Sequence, residues 1–263
     1  GTTPQGASGS MNLGNLRTLL RESILNDRTD RTSGTSDYLW TDATLNTFIN
    51  EAQRRLAVQG LILRDGSTND ATRVTMVAGQ SEYELHSSVI AVISCKQESA
   101  ANDMQRVSNP ILNMSRPLPQ TWAEAINSST LSAGTPQLWA TDEELSADAN
   151  GSWGNIMLRV YPTPATADAG DYLRLRVVRK PLATLTADAS VPEVPEDHHI
   201  ELLDYAAYLA LRIVDDDAGA PKRAQEFLDR FDRTVSEARR SAMRKLFAPM
   251  GIAFGRAGYS WEH

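Results

Sequence analysis

Cysteine is almost absent from this chain of 263 residues, where Cys95 stands alone. A single thiol forbids an internal disulfide and fits a reducing compartment, and the neighbours Val92, Ile93 and Ser94 place it on a buried strand. Long hydrophobic runs are missing as well. No segment approaches about 18 uninterrupted apolar residues and no charged-then-apolar leader opens the chain, so neither membrane insertion nor secretion is expected. Positive charge is in deficit. The formal net charge of -7 argues against a surface built for tight DNA binding, yet it is compatible with a channel through which DNA slides without sticking. No phosphate-cradling glycine loop, nucleophile elbow or zinc-type Cys/His spacing occurs. Without an acid, base and nucleophile set, neither enzymatic activity nor a cofactor is expected. Gly1 to Ser10 carry no charge and precede Met11, and are expected to be a cloning remnant outside the fold.

What the chain does have is a long amphipathic helix near its end. From Pro221 onward, Ala224, Phe227, Leu228, Phe231, Val235, Ala238, Ala242 and Leu246 recur at three-and-four spacing, the mark of one buried stripe. Lys222–Glu226, Glu226–Arg230, Asp229–Arg233 and Arg233–Glu237 stand four apart and keep the opposite face in water. Pro221 suits a first turn, and Arg239, Arg240, Arg244 and Lys245 suit the end where the helix dipole favours cations. Such a helix of about 26 residues would be a rod roughly 40 Å long. The segment before it predicts a second helix with two adjacent apolar lines: Ile200, Leu203, Ala207, Ala210 and Val214, then Leu202, Ala206, Leu209 and Ile213.

Nearer the start, Leu13, Leu16, Leu20 and Ile24 give a short amphipathic helix, and the polar stretch 26–37 reads as a loop. Thr41 then caps a helix that carries Leu45, Phe48, Ile49, Ala52 and Leu56. Trp40 is placed to staple onto Leu45, and Gly60 to terminate. After Asp65-Gly66 the period changes to two. Thr72 to Val77 and Tyr83 to Leu85, joined by Ala78-Gly79-Gln80, read as a hairpin, followed by a buried strand over 89–95. A short helix is expected over 117–127 with Leu118 and Trp122 inward, and strands over 138–141, 156–161 and 172–179. Consecutive strands between helical ends imply an α+β fold: a helical bundle from the N- and C-terminal helices with an inserted β-rich domain. The expected boundaries are 11–66 for the first helices, 67–190 for the insertion, 191–247 for the helical pair and 248–263 for a tail.

Four groups invite a functional reading. His198-His199 beside Asp197 suggest a metal, but adjacent residues diverge by about 100° on a helix, so an exposed first turn is the expectation. Asp215-Asp216-Asp217 suggest a cation site, and read instead as a solvated helix end. Arg174 and Arg176, outward between Leu173, Leu175 and Val177, are candidate contacts to a DNA backbone. In the tail, Phe247, Met250, Ile252, Phe254, Tyr259 and Trp261 alternate with Pro249, Gly251, Gly255 and Gly258. Disordered tails are usually poor in aromatics, so these residues are expected to order in pockets of a partner protein.

In the order of its features the chain resembles the head-to-tail adaptor (connector) proteins of tailed bacteriophages, of the kind found beneath the portal of short-tailed phages. The residues that carry the likeness are Trp40-Thr41-Asp42, then Asn50-Glu51-Ala52, then Val77-Ala78-Gly79-Gln80 leading to Tyr83-Glu84-Leu85. Tyr161-Pro162-Thr163-Pro164, Arg179-Lys180-Pro181, Pro195 and Tyr205-Ala206 continue it, from Met11 onward save for 97–134. The resemblance implies a virion protein that self-associates into a ring, commonly dodecameric. It binds the portal protein on one side and tail or nozzle proteins on the other, with its C-terminal segment reaching into the portal and DNA passing transiently through. A rival expectation keeps the virion but makes the chain a tail or baseplate protein that binds host glycan or receptor through Trp122, Trp139 and Trp153.

Overall fold

The computed structural model describes residues 11–27, 38–107, 133–142, 155–213 and 220–247. The chain divides into two compact units, one of Gly1–Ile62 with Thr184–His263 and the other of Leu63–Ala183. The fold is α+β.

The first unit is a helical bundle. Asn12 caps α1 (Leu13–Leu19) by accepting from the Asn15 amide at 2.9 Å, and the helix runs on into a π-helical turn over Leu20–Leu25. Thr41 caps α2 (Asp42–Gly60), accepting from the Thr44 amide at 3.2 Å. Trp40 meets the edge of Phe48 at 5.8 Å within the cluster that also holds Leu45. Gly60 is the last helical residue and not the terminator. The left-handed position falls on Leu61 (φ 53°), a conformation that costs a branched side chain roughly 1–2 kcal/mol. An added Cβ on Gly60 would press on the Ile62 side chain at 3.2 Å and come into ordinary contact with the Cβ of Ala238 at 3.4 Å. α4 spans only Leu202–Leu211. Both expected apolar lines are buried within it, through Leu203, Ala207 and Ala210 and through Leu202 and Ala206, but their ends are not: Ile200 lies before the helix at 62% exposure and Ile213 after it at 61%, while Val214 is outside the described residues. α5 (Ala220–Phe247) buries Ala224, Phe231, Val235, Ala238 and Ala242 as its spacing requires. Its Arg230 pairs with Asp204 of α4 at 3.3 Å rather than with Glu226.

The stretch 184–195 is stitched across this bundle. Asn50 of α2 donates its side-chain amide to the Leu185 carbonyl at 2.9 Å and accepts from the Leu185 amide at 2.8 Å. Buried Gln53, one turn on, accepts from the Glu193 amide at 2.9 Å. Two otherwise unsatisfied donors of the first turn of α1 go to the same stretch, Leu13 to the Ser190 carbonyl and Gly14 to that of Asp188.

The second unit holds two four-stranded sheets that close on one core. In the first, β8 (Tyr172–Arg179) is central. β4 (Val89–Gln97) runs antiparallel along one side, with two register shifts. β1 (Arg64–Asp65) and β2 (Arg73–Thr75), separated by the single turn α3 (Asn69–Thr72), share the other side. The second sheet has the order β3 (Glu82–Glu84), β7 (Met157–Tyr161), β6 (Leu138–Asp142), β5 (Gln105–Arg106), with only the last pair parallel. The hairpin expected across 77–80 does not exist: β2 pairs with β8 and β3 with β7, in different sheets. Its turn, with Gly79 at φ +78°, is a corner between sheets. The Tyr83 hydroxyl braces the corner, donating to the Gln80 carbonyl at 2.9 Å and accepting from the Val77 amide at 3.2 Å. Splitting the strands puts Met76, Tyr83 and Leu85 into the shared core, where a two-stranded ribbon would leave one face bare. Cys95 lies in that core as expected, and burial pushes its thiol up to about 12, with the charge of Asp103 adding to the effect. The expected helix over 117–127 falls outside the described residues.

Replacing Asn50 by Ala strands both backbone groups of buried Leu185. Denaturant unfolding should show a loss of about 2–3 kcal/mol with an unchanged slope.

Candidate functional site

The motif that opens α2 is a structural knot. Arg21, buried in the π-helical turn, donates to the Trp40 carbonyl at 2.6 Å and to an Asp42 carboxylate oxygen at 2.7 Å. Its Nε lies 3.6 Å from Asp27, its guanidinium sits 4.1 Å over the Tyr38 ring, and Arg17 reaches Asp42 and Asp188. Asp27 accepts from the amides of Leu39 and Trp40. Asp42 thus serves two arginines besides the helix dipole.

The histidine pair separates, as adjacency requires. His198 bonds Glu201 at 2.5 Å, whereas His199 is buried with its Nε2 2.9 Å from the Val194 carbonyl. The exposed turn expected there is therefore wrong for His199, which fills the bundle interior ahead of α4. Among the described residues no group of three or more His, Cys, Asp or Glu could hold a metal. Asp215-Asp216-Asp217 lie outside them.

Of the three tryptophans offered as a sugar platform, Trp139 is 1% exposed and donates its indole N–H to the Met104 carbonyl at 3.1 Å. It is core. Trp122 and Trp153 lie outside the described residues, as do Met250, Ile252, Phe254, Tyr259, Trp261 and the side chain of Phe247, whose backbone ends α5.

Arg174 and Arg176 do point away from the core, because Leu173, Leu175 and Val177 between them are buried. They differ in freedom. Arg174 grips Glu98 through two nitrogens at 3.3 and 2.9 Å, and Arg73 grips the other oxygen of Glu98 at 2.9 Å while stacking 3.5 Å from the Tyr172 ring. Hydrogen bonds from Arg174 and then Arg73 hold the Glu98 carboxyl below its usual range. Arg176 is exposed, its stem 3.4 Å from where a Cβ of Gly66 would stand. The register places Lys96 and Arg73 directly opposite Arg174 on either side, and Arg64 diagonal to Arg176, all on one face. Sequence reasoning found two of these five cations. Arg73 and Lys96 lie 78 or more positions before their neighbour in β8, and only the strand pairing joins them.

Beneath that face Asp65 is 6% exposed and meets Arg179 at 2.6 Å. Burial alone would raise its pKa, but hydrogen bonds from the Thr68 side chain, the Ser67 and Thr68 amides and Arg179 together hold it far below the usual range. With the folded value depressed, the stability it contributes is complete at neutral pH and is lost as pH falls through the folded value. Replacing Asp65 by Asn should cost about 3 kcal/mol at pH 7. The variant's thermal midpoint should also fall less steeply than the native one below about pH 4.

A family model described as SU10 adaptor protein matches residues 11–253. No curated protein matches the chain.

Proposed function

Because the chain belongs to the SU10 adaptor protein family, which makes it a bacteriophage structural adaptor and a component of the virion, we propose that it joins the portal of the head to the tail and prolongs the DNA channel. The observation that carries this reading is the span of the match. It takes in both compact units and runs past the end of α5 into 248–253, so the whole architecture belongs to one adaptor design. Copies pack side by side into a ring at the head–tail junction. Phe247, Met250, Ile252, Phe254, Tyr259 and Trp261 are the side chains that dock on the portal protein, and tail or nozzle proteins bind the opposite side. Aromatic and large apolar groups on a glycine-rich segment supply contact area once they find pockets, and α5 delivers them from a rigid stem. The work is geometric.

Truncation after Phe247 is the test. The shortened chain should keep its ellipticity and thermal midpoint while losing co-sedimentation with portal rings by more than about tenfold in affinity. Undiminished portal binding by the truncated chain overturns the docking role of the tail. Failure of the full chain to bind portal rings overturns the adaptor reading itself.

A further inference from the structure

The five cations Arg64, Arg73, Lys96, Arg174 and Arg176 occupy the outer face of the sheet centred on β8, where Arg73 and Arg174 share the carboxylate of Glu98. We propose that this face is a sequence-independent binding site for the phosphate backbone of double-stranded DNA. It rests on the channel reading above and names the surface that touches the cargo.

Strand pairing sets the spacing. Lys96, Arg174 and Arg73 form a row across three strands, about 4.8 Å from one to the next, and Arg176 stands about 6.8 Å along β8 from Arg174. A duplex strand offers one phosphate for each 3.4 Å of axis, so a grid of this pitch meets several at once. Guanidinium forks suit phosphate oxygens, and four of the five cations are arginines. Glu98 takes the forks of Arg73 and Arg174 into its own pairing, so a phosphate must compete with its carboxylate for them. Neither Arg176 nor Lys96 has a carboxylate partner among the described residues. Arg64 holds its proton less firmly than usual, from partial burial first and from the charge of Arg176 second, which marks how closely the two cations crowd.

The composition of the face selects DNA over an acidic protein. Protein interfaces centre on apolar or aromatic anchors, whereas DNA-binding surfaces are polar and cationic. Ala91, Ser94 and Thr75 share the face with the cations, its one aliphatic side chain on β8, Val178, is buried opposite Arg64, and Arg73 covers the ring of Tyr172. The large hydrophobic side chains exposed among the described residues, such as Leu39, Val191 and Ile200, belong to other segments. No Asn or Gln projects from the row to read a base edge, so affinity should not depend on sequence. The net charge of -7 over the whole chain keeps the contact weak.

Fluorescence anisotropy with the full chain and a duplex of about 30 base pairs, over about 25–200 mM salt, is the experiment. Binding should be indifferent to duplex sequence, with log K falling against log salt at a slope of about -4, as expected for four to five phosphates neutralised. Joint Lys96→Glu and Arg176→Glu should reduce that slope by about 2 and weaken binding by more than about tenfold at low salt. Glu98→Gln, which releases two guanidiniums from their carboxylate, should tighten binding several-fold. A native-like thermal midpoint for each variant separates this from misfolding. Absence of duplex binding at the lowest salt overturns the proposal, as does undiminished binding by the reversed variant. Loss of self-association or portal binding with DNA affinity intact also overturns it and reassigns the face to a protein partner. Portal co-sedimentation by the reversed variant shows whether the adaptor reading stands independently.

Discussion

The amide of Asn50 closes on the backbone of Leu185 from both sides, donating to its carbonyl and accepting from its N–H. A side-chain amide has the same donor and acceptor geometry as a peptide group, so Asn50 acts as a one-residue strand that the returning chain must pair with. Everything after Ala183 depends on that registration. Gln53 fixes Glu193 one turn further along α2, and the backbone of Asp188 and Ser190 then fills the empty donors at the start of α1. Gly14 permits the approach, since an added Cβ would stand 3.1 Å from that of Asp188. The bundle is therefore organised around α2, which packs on α1, α4 and α5. α5 has the strongest amphipathic pattern, but a single stripe makes a helix that leans on a bundle, not one at its centre.

Arg21 shows a second way in which polar groups set the architecture. Its phase in the sequence puts it on the flank of the stripe of Leu13, Leu16 and Leu20. The π-helical turn at Leu20–Leu25 takes in an extra residue and shifts the phase of the helix, so that Leu20 and Arg21 are both buried. A buried guanidinium is costly unless its donors are met. Trp40 supplies a carbonyl and Asp42 a carboxylate oxygen to the terminal nitrogens, while Nε has the charge of Asp27 at 3.6 Å but no hydrogen bond, and these contacts hold the chain on both sides of the interval 28–37. The likeness carried by Trp40-Thr41-Asp42 and Asn50-Glu51-Ala52 thus rests on two fastenings, the Arg21 knot and the Asn50 clamp.

Local interactions are the ones a sequence reveals. The helix start at Thr41, the stripe of α5, and the in–out alternation of β8 are set within a few residues, and each is legible. Pairing is not local. The turn at Gly79 has the chemistry of a hairpin, yet β2 and β3 are three residues long and a longer strand in each sheet outcompetes the one across the turn. Ile200 and Ile213 mislead for a related reason: periodicity continues past the point where α4 stops, and only the fold determines where the neighbours end. Trp139 reads equally well as a platform or as core until Met104 is seen to accept its N–H.

The cationic face is hidden in the sequence by the same limit. Arg174 and Arg176 are visible there as an outward pair, but a pair of arginines on a strand is ordinary. The concentration of charge appears only when β4, β2 and β1 are laid against β8, and it opposes the sign of the chain as a whole. In the DNA channel proposed above, that opposition has a physical consequence. A chain of net negative charge repels a duplex over distances comparable to the Debye length, about 8 Å at physiological ionic strength, while a small basic grid attracts it only at contact. Long-range repulsion with a local, salt-sensitive attraction centres a polyanion and lets it move, because each phosphate that leaves the grid is replaced by the next at nearly equal energy. In the site proposed above, Glu98 moderates the grip by taking half the forks into its own pairing, so that a surface basic enough to guide DNA would stop short of holding it.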